Sequence, residues 1–563
     1  MIFMQPPAGS VVTFAQAALQ FAIEHYGAAR HAEAEAVCRQ ILELAPGDPD
    51  TLNLLGLAVS ARGNPLLGVS YLDQAIAAAP NNAAYCANRG EVLRRWGMLD
   101  AAALSLHRAL EIDPNSAQAL NNLGLVLIAQ GKVPDAIGCF ERALEINPAM
   151  VEAHYNLGGA LKALGEWERA VQCFSRAIEL NPQYAEAHYE LGCAYEQLDR
   201  PDLSAAACLR ALEIRPNFPE ALLVLGNACL EQGDYAGAKA AYRDAVERNP
   251  QLPAARYQLS LSLLGEGDFA NGWPLFESRY DVAFAGAVSA PLLPMPMWRG
   301  EDLAGRSLLV LTEQGYGDHI QFCRMVRPLA ERGARIVMGA SPLMLDLMRT
   351  LPGCAALVGT VEQAWSSGCD YWAFVGSLPY RMGIDVQCIP ADTPYLYADP
   401  AKAAAWESRL APYRAYAKVG VFWAGRPTHA HDKRRSLRLA QFAPLARAAN
   451  VAFFGLQQDE RAQEAPPPGM TFVPCADGLK DFADTAALLT QLDLLISVDS
   501  APAHLAGALG RPVWTLLPFR ADWRWQTGRE DTPWYPGMRL YRQPRAGDWA
   551  GVIERVSGEL LAL

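Results

Sequence analysis

The chain has 563 residues and a formal net charge of −12, with 51% hydrophobic and 19% charged residues. This composition is typical of folded globular proteins and excludes a largely disordered chain. The length predicts several domains of about 150 residues each. The excess of acidic residues argues against a broad basic face that would bind nucleic acid or anionic membranes.

The start of the chain and the cysteines indicate the compartment. The sequence MIFMQPPAGSVVTF lacks the basic region and apolar core of a signal peptide, and no apolar run approaches the ~18 residues of a membrane span. The twelve cysteines are scattered without a CxxC pair, so we expect reduced thiols, no disulfide framework and no metal site. These features predict a cytoplasmic protein without a membrane span.

The first half contains residue ladders that step by 34 positions. They are the prolines Pro46, Pro80, Pro114, Pro148, Pro182, Pro216 and Pro250, the glycines Gly56, Gly90, Gly124, Gly158, Gly192 and Gly226, and the alanines Ala75, Ala109, Ala143, Ala177, Ala211 and Ala245. Small residues let two helices approach closely, and proline stops the second helix. The pattern resembles the tetratricopeptide repeat and predicts a solenoid of helical hairpins over residues 1–286.

Three asparagines, Asn88, Asn122 and Asn156, lie two residues before ladder glycines. An asparagine amide can pair with both the N–H and the C=O of an extended peptide. The spacing resembles the asparagine ladder with which the repeats of O-GlcNAc transferase hold protein substrates, which implies an acceptor groove. The alternative is that asparagine is simply frequent at this position of repeat sequences, because the ladder lapses in other repeats.

After residue 282 the alanine-rich helical pattern ends. A linker is predicted at 287–304, and apolar strands then alternate with helices. The alternation predicts two Rossmann-like halves with parallel sheets, at 305–410 and 411–563. The predicted fold class is therefore α plus α/β, an α-solenoid followed by a pair of Rossmann-like domains.

Motifs in the second half resemble those of known glycosyltransferases. VDSAPAHLAGALGRPVW and QGYGDHIQF resemble segments of the heptosyltransferases that act on lipopolysaccharide. Together with WAGRPTH, DFADTA and DWRW, and with repeats in front, the whole chain resembles the tetratricopeptide-GT-B proteins that include bacterial flagellin glycosyltransferases. The resemblance implies a GT-B fold with its active site in the cleft between the two halves, a nucleotide-sugar donor and no metal or other cofactor.

The turn from strand to helix after residue 498 predicts a phosphate site. A helix amino terminus at a strand end offers unpaired N–H groups and a partial positive charge. We expect Asp499, Ser500 and Ala501 to contact the donor, Ser500 also to cap the helix, and His504 to point toward the leaving group. The alternative for His504 is a structural residue bonded to a nearby backbone carbonyl.

The segment GRPTHAHDKRRSLRL, residues 425–439, concentrates positive charge in an acidic chain. In the second domain of a GT-B fold this loop faces the cleft, so guanidinium groups here can bind phosphate or a sugar carboxylate. The predicted donor-binding residues are Gly425, Arg426, Lys433, Arg434 and Arg435. The alternative is a solvated charged loop.

Asp318 follows a glycine-containing loop, Gln314, Gly315 and Gly317, that we expect at the cleft. In heptosyltransferases the matching aspartate is thought to act as general base, which implies a role for Asp318 in an inverting displacement. The alternative is an N-cap of the following helix, and His319 is then a substitute base. The resemblance also implies cleft contacts of Asp484, Thr485 and Trp525 with the nucleotide or sugar.

These features predict a glycosyltransferase that moves a sugar from a nucleotide sugar onto a protein acceptor held by the repeats, with flagellin as the candidate. Two alternatives stay open. One is a heptosyltransferase-like enzyme acting on lipopolysaccharide or another glycan. Ala501 and the Gly425 loop depart from the heptosyltransferase pattern, however, so the sugar of the donor stays open. The other is a non-catalytic repeat scaffold with a degenerate transferase fold.

Overall fold

The computed structural model describes residues 8–281, 290–427 and 432–562. Predictions that fall on residues 1–7, 282–289 and 428–431 lie outside the described residues. The chain divides into two compact units, Met1–Ala228 and Cys229–Leu563. The boundaries predicted from the sequence, at 286, 304 and 410, stay predictions.

The first unit is built of helical hairpins. Its described residues form α1 (Ala8–Gly27), α2 (His31–Leu44), α3 (Pro49–Ala61), α4 (Pro65–Ala78), α5 (Ala83–Arg95), α6 (Leu99–Ile112), α7 (Ala117–Ala129), α8 (Val133–Ile146), α9 (Val151–Ala163), α10 (Trp167–Leu180), α11 (Ala185–Gln197), α12 (Pro201–Ile214) and most of α13 (Pro219–Glu231). The predicted repeat fold is confirmed.

The glycine ladder sets the distance between the two helices of each hairpin. A Cβ on Gly56 would lie 2.7 Å from Leu72 Cγ, and a Cβ on Gly124 would lie 2.5 Å from Phe140 Cε1. Any larger residue would therefore push the helices apart. The proline ladder lies just beyond the helix ends; Pro114, for example, comes two residues after the end of α6.

The second unit begins with helices and continues into two parallel sheets. The helices are α14 (Tyr235–Arg248), α15 (Pro253–Gly265) and α16 (Phe269–Phe276). Phe269, Trp273 and Phe276 of α16 are buried in one core with Leu308 and Val310. The Trp273 indole also donates a 3.0 Å hydrogen bond to the carbonyl of Ile384.

The first sheet contains β1 (Ser307–Leu311), β2 (Arg335–Gly339), β3 (Cys354–Val358) and β4 (Tyr371–Phe374) in the order β3-β2-β1-β4. Its helices are α17 (Tyr316–Phe322), α18 (Val326–Glu331), α19 (Leu345–Met348), α20 (Val361–Trp365) and α21 (Leu378–Arg381). All pairings are parallel, with Leu309 opposite Val337 in the register of β1 and β2.

The second sheet contains β5 (Ala417–Phe422), β6 (Val451–Gly455), β7 (Phe472–Pro474), β8 (Leu494–Val498), β9 (Val513–Leu517) and β10 (Met538–Arg542), ordered β10-β9-β8-β5-β6-β7. Its helices are α22 (Pro400–Leu410), α23 (Asp432–Arg435), α24 (Phe482–Thr490), α25 (Ala501–Ala508) and α26 (Trp549–Leu560). All five pairings are parallel, with Val421 opposite Ile496.

This strand order is that of the Rossmann fold, and the first sheet repeats its first four strands. β8 and β9 are buried along their whole length, because helices cover both faces of a doubly wound sheet. The strand order reverses between β5 and β8, which places a crevice at their carboxyl ends. Within the described part of the chain, no helix is both long and apolar enough to cross a membrane.

Candidate functional site

The candidate site lies at the carboxyl ends of β5, β8 and β9. Gly425 follows β5, Asp499 follows β8 and Asp522 follows β9. Ligands of doubly wound proteins bind at this edge of the sheet. The structure brings two predicted donor segments together here, because Arg435 Nη1 donates a 3.3 Å hydrogen bond to the carbonyl of Asp499.

Gly425 is a point of close approach between the end of β5 and α23. A Cβ at Gly425 would lie 2.6 Å from Arg435 Nη2 and 2.7 Å from Asp432 Oδ1. The Gly425 amide donates a 2.9 Å hydrogen bond to Ser436 Oγ, and its carbonyl accepts one from Arg461. The glycine thereby lets α23 fold back and directs Arg435 toward the end of β8.

The predicted basic residues differ in exposure. Arg426 and Lys433 are exposed, and the Arg426 guanidinium lies 5.9 Å from the centre of the Tyr316 ring. Arg434 and Arg435 are half-buried and line a cavity described below. Donor binding by all four residues stays a prediction.

α25 begins at the same edge with Ser500 in the N-cap position. The Ser500 side chain makes no capping hydrogen bond and instead forms a 2.8 Å hydrogen bond with Ser497 Oγ. The prediction that its hydroxyl caps the helix is therefore wrong, because the neighbouring serine already binds it. Phosphate contact by Ser500 and Ala501 stays a prediction.

Asp499 and Asp522 form a pair of neighbouring carboxyl groups. Burial and the Asp522 carboxylate raise the pKa of Asp499 to about 6. Burial alone would also raise the pKa of Asp522, but the Arg524 guanidinium holds it below the usual value. Asp522 is therefore the ionised member of the pair, and Asp499 can carry a proton close to neutral pH.

Arg524 connects the loops of the two sheets. Its Nη1 donates a 2.8 Å hydrogen bond to Asp522 Oδ1, and its Nη2 pairs with Asp318 Oδ1. Burial would lower the pKa of Arg524, but the two carboxylates raise it well above its usual range. The guanidinium is therefore a permanent positive charge at the centre of the site.

Asp318 is the third residue of α17, and Gly315 is the N-cap. Asp318 Oδ2 accepts a 2.8 Å hydrogen bond from the Gly315 amide, which is the half of a capping box that the third helical residue supplies. Its other oxygen is the one paired with Arg524. The alternative that Asp318 is itself the N-cap is therefore wrong, because Gly315 holds that position and Asp318 binds its amide from the first turn. The role of general base stays a prediction.

The rest of the predicted cleft loop packs α17 against α25. Gln314 is exposed and has a left-handed φ of 57°. A Cβ on Gly317 would lie 2.9 Å from His504 Cδ2, so glycine is required for this approach. His319 is 2% exposed, burial lowers its pKa to about 4, and its Nε2 has no hydrogen-bond partner among the described residues.

His504 is enclosed by aromatic rings. Its ring stacks on Trp525 with centroids 5.0 Å apart, and its Nδ1 lies 2.9 Å from the hydroxyl of Tyr535. Burial lowers the pKa of His504 to about 3, so the ring is neutral at physiological pH. His504 thus bonds the side chain of Tyr535 and not, as the structural alternative had it, a backbone carbonyl. A contact of His504 with the leaving group stays a prediction.

Asp484 and Thr485 are engaged at the start of α24. Asp484 forms a 2.8 Å ion pair with Lys402, and Thr485 Oγ1 donates a 3.1 Å hydrogen bond to the carbonyl of Asp481. The ion pair joins α24 to α22, and the Thr485 bond lies within the start of α24. Contacts of either residue with a nucleotide stay a prediction.

A cavity of 240 Å³ lies beside Asp499 and Asp522. Loop residues after β5, β8 and β9 form one side, and Tyr235, Gln258 and Ser262 from α14 and α15 form part of the other. Its charged lining residues are Arg434, Arg435, Arg520, Arg542, Glu266, Asp499 and Asp522. The cations outnumber the carboxylates by four to three, which favours an anionic ligand.

Sequence reasoning missed Asp522, Arg524, Tyr535 and the helices α14 and α15 as parts of this region. DWRW contains two of the missed residues, but only its second tryptophan was predicted to contact a ligand. Tyr535 belongs to no motif. Among the residues whose positions are described, no group of three or more His, Cys, Asp or Glu side chains is placed to hold a metal ion.

In the first unit, two of the three predicted groove asparagines each contact an asparagine of the preceding repeat. Asn88 Nδ2 donates a 3.0 Å hydrogen bond to Asn53, and Asn156 Nδ2 donates a 2.9 Å bond to Asn121. Asn122 instead accepts a 3.1 Å bond from Gln118 of its own helix. These bonds explain asparagine at two positions without a ligand, and peptide binding stays a prediction.

Known protein families match both the helical hairpins and the second sheet's domain. The family described as "Glycosyltransferase family 9 (heptosyltransferase)" matches residues 441–525. Families described as "TPR repeat" and "Tetratricopeptide repeat" match residues 83–116, 108–138, 125–165, 158–199, 185–218 and 219–262. The chain therefore carries tetratricopeptide repeats in its N-terminal part and a glycosyltransferase family 9 domain in its C-terminal part.

Individual relatives match only parts of the chain. "Protein FlbA" of Caulobacter vibrioides is 29% identical in an alignment of 314 residues that covers 51% of this chain and 52% of FlbA. The chain thus spans about half the length of this curated relative. Among solved structures, MamA is 30% identical over 29% of this chain and 95% of its own, with a TM-score of 0.28, and Pseudomonas aeruginosa pilF is 20% identical over 38% and 96%, with a TM-score of 0.34.

Proposed function

We propose that this protein is a GT-B glycosyltransferase that transfers a sugar, with inversion and without a metal ion, from a nucleotide sugar to a protein acceptor. The observation that carries the proposal is the position of the family 9 match. Residues 441–525 include β8, the start of α25 and the Asp522–Trp525 segment, where charged groups from both sheets meet. Repeats in front of such a domain favour a protein substrate.

The donor diphosphate binds at the carboxyl ends of β5 and β8 in this proposal. Arg435 lies beside Asp499, and the first turn of α25 begins at the same edge. Guanidinium groups and helix N–H groups offset the negative charge that develops on the departing phosphate. Fixed cations can therefore take the role that a divalent metal has in other transferases.

The acceptor hydroxyl oxygen attacks the anomeric carbon as the bond from that carbon to the phosphate oxygen breaks. The hydroxyl proton passes to Asp318, and the electron pair of the broken bond stays on the phosphate. Each oxygen of Asp318 accepts one hydrogen bond, from the Gly315 amide and from Arg524, and keeps a second lone pair that can take the proton.

The protein acceptor is held by the repeats, with Asn88, Asn122 and Asn156 as groove residues. Flagellin, or another secreted surface protein before export, is the candidate, and the reaction takes place in the cytoplasm. The support is the resemblance to flagellin glycosyltransferases together with the partial similarity to FlbA. A second candidate, a glycan acceptor such as lipopolysaccharide, is favoured by the word heptosyltransferase in the matched family.

A thermal-shift panel of nucleotide sugars with the full chain tests the donor part of the proposal. A ligand that binds only the folded protein adds about 2.7 kcal/mol to the free energy of unfolding at a hundredfold excess over Kd. The melting temperature therefore rises. We expect one nucleotide series to stabilise the wild type, with and without EDTA, and to stabilise Arg435→Met less. If no nucleotide sugar stabilises the wild type, the scaffold alternative is preferred.

A further inference from the structure

The turn between α13 and α14 is docked on the loop that follows β9. A Cβ on Gly233 would lie 2.6 Å from the Phe519 ring, and the Tyr235 hydroxyl donates a 3.1 Å hydrogen bond to the carbonyl of Phe519. Gly233 also has a left-handed φ of 82°. Both the backbone conformation and the contact therefore require glycine at this turn.

The equivalent turns of earlier repeats lack such contacts. Gly63, Gly97 and Gly131 occupy the same place in the 34-residue pattern, and a Cβ on any of them would meet no described atom within 4 Å. Gly267, the next turn in the series, again contacts the transferase, since its Cβ would lie 3.3 Å from Gln526. The last two turns thus differ from ordinary repeat turns in having a partner.

Glu231, the last residue of α13, connects two arginines next to this turn. Its Oε1 accepts a 2.5 Å hydrogen bond from Arg434 Nη1 and a further one from Arg520 Nη1. Burial would raise the pKa of Glu231, but the two guanidinium groups hold it below the usual value. The carboxylate is thus a permanent negative charge between two positive ones.

The cavity lining shows on which side of the arginines Glu231 lies. Arg434 and Arg520 both line the 240 Å³ cavity, whereas Glu231 is not part of its wall. Glu231 therefore contacts both arginines without lining the cavity itself, so its carboxylate does not occupy the space of a ligand there. Two guanidinium groups side by side repel each other, and the carboxylate offsets that repulsion.

We propose that Glu231 is a positioning residue that holds Arg434 and Arg520 together as a binding site for the diphosphate of the donor. The end of the repeat region is thus a structural part of the donor site, in addition to any contact with an acceptor. The identity of the anion as a donor diphosphate rests on the function proposed above. The arrangement of the arginines does not depend on it.

The test measures binding of inorganic pyrophosphate to the full chain by calorimetry. Glu231→Gln removes the charge and keeps the shape, and Glu220→Gln, in the first turn of the same helix, is the matched control. We expect Glu231→Gln to bind pyrophosphate about tenfold more weakly, which corresponds to about 1.4 kcal/mol, and Glu220→Gln to bind it like the wild type. Melting temperatures check that each variant is folded.

A double-mutant cycle separates positioning from a general structural effect. In Arg434→Met/Arg520→Met, which lacks both groups that Glu231 holds, we expect Glu231→Gln to cause no further loss of pyrophosphate binding. With a donor that the wild type uses, Glu231→Gln should raise KM and change kcat by less than about twofold.

Unchanged or tighter pyrophosphate binding by Glu231→Gln overturns the inference, as does a full additional loss in the double-arginine background. Sugar transfer by a wild type that binds pyrophosphate independently of Glu231 refutes the inference and leaves the proposed function intact. Pyrophosphate binding that depends on Glu231, without any sugar transfer, supports the inference and contradicts the proposed function.

Discussion

Asp318, at the start of α17 in the first sheet's domain, forms an ion pair with Arg524, which follows β9 of the second sheet. The same carboxylate accepts the Gly315 amide, and the same guanidinium binds Asp522. This pair places the predicted base and a permanent cation in contact. Several expectations depend on whether that contact serves the reaction or only the fold.

Asp318→Asn tests the role of general base. An amide cannot take the acceptor proton, so transfer should fall by about 10²-fold or more while donor binding stays near the wild-type value. Loss of one charged hydrogen bond to Arg524 should also cost about 1.5 to 3 kcal/mol of stability. Single-turnover transfer and calorimetry measure the two effects separately.

Asp399→Asn is the matched control for the capping function. Asp399 caps α22 by accepting hydrogen bonds from the amides of Ala401 and Lys402, each at 2.9 Å. This variant should lose some stability and keep full activity. Wild-type transfer by Asp318→Asn would reduce Asp318 to a structural residue.

The two buried histidines predict how stability depends on pH. The pKa is about 3 for His504 and about 4 for His319 in the folded chain, against about 6.5 when unfolded. As pH falls below about 6.5, both histidines become protonated in the unfolded chain and stay neutral in the folded chain. The free energy of unfolding therefore falls. Each group contributes at most about 1.4 kcal/mol per pH unit in this window.

Asp499 has the opposite effect on the pH dependence of stability. Its folded pKa of about 6 lies above the unfolded value of about 3.9, so the folded chain gains a proton first and this group adds stability as pH falls. In His504→Gln the remaining two effects should nearly offset between pH 6 and 5, and the slope measured by urea unfolding should flatten. The exposed His107→Gln should keep the wild-type slope, and an equal slope in all three proteins would refute the account.

Two truncations test where the catalytic unit begins. A chain starting at residue 287 lacks α16, whose Trp273 packs against Phe322 and Trp523. Burial of each such aromatic side chain is worth about 1.5 to 3 kcal/mol, so this fragment should aggregate or melt many degrees lower. A chain starting at residue 229 should give a sharp melting transition, and similar melting of the two fragments would contradict this expectation.

The groove asparagines separate repeat stability from acceptor binding. Asn88→Ala and Asn156→Ala break bonds between repeats and should each cost about 1 kcal/mol. Asn122→Ala breaks a bond within one helix, so it disturbs the stacking least. Loss of acceptor binding in Asn122→Ala supports the groove, whereas wild-type binding by all three variants would leave these asparagines as structural residues.

The 34-residue pattern and the strand alternation predicted most of the fold, because both depend on local spacing. The turn position of Gly63, Gly97 and Gly131 stays left-handed even in repeats without glycine there, since Ala29 and Asp199 have φ values of 57° and 56°. Strand ends also predicted where Gly425, Asp499 and Ser500 would meet. Parallel strands place their carboxyl ends at one edge whatever their separation in sequence.

Contacts between residues far apart in the sequence could not be predicted from it. Glu231 meets Arg434 across 203 residues and Arg520 across 289 residues, and no spacing rule connects them. Ser500 was assigned to the helix cap because its residue type favours that role. The hydroxyl of Ser497, three residues earlier in a buried strand, binds the Ser500 hydroxyl instead.

The most direct test of the central claim is the intact mass of a candidate acceptor protein, flagellin first, after incubation with the full chain, EDTA and the nucleotide sugar that stabilises it. The account predicts an increase by whole sugar residues with the wild type and little or none in the same time with Asp318→Asn. An unchanged acceptor mass with every stabilising nucleotide sugar, or transfer of the sugar to a lipid-linked glycan instead, would contradict it.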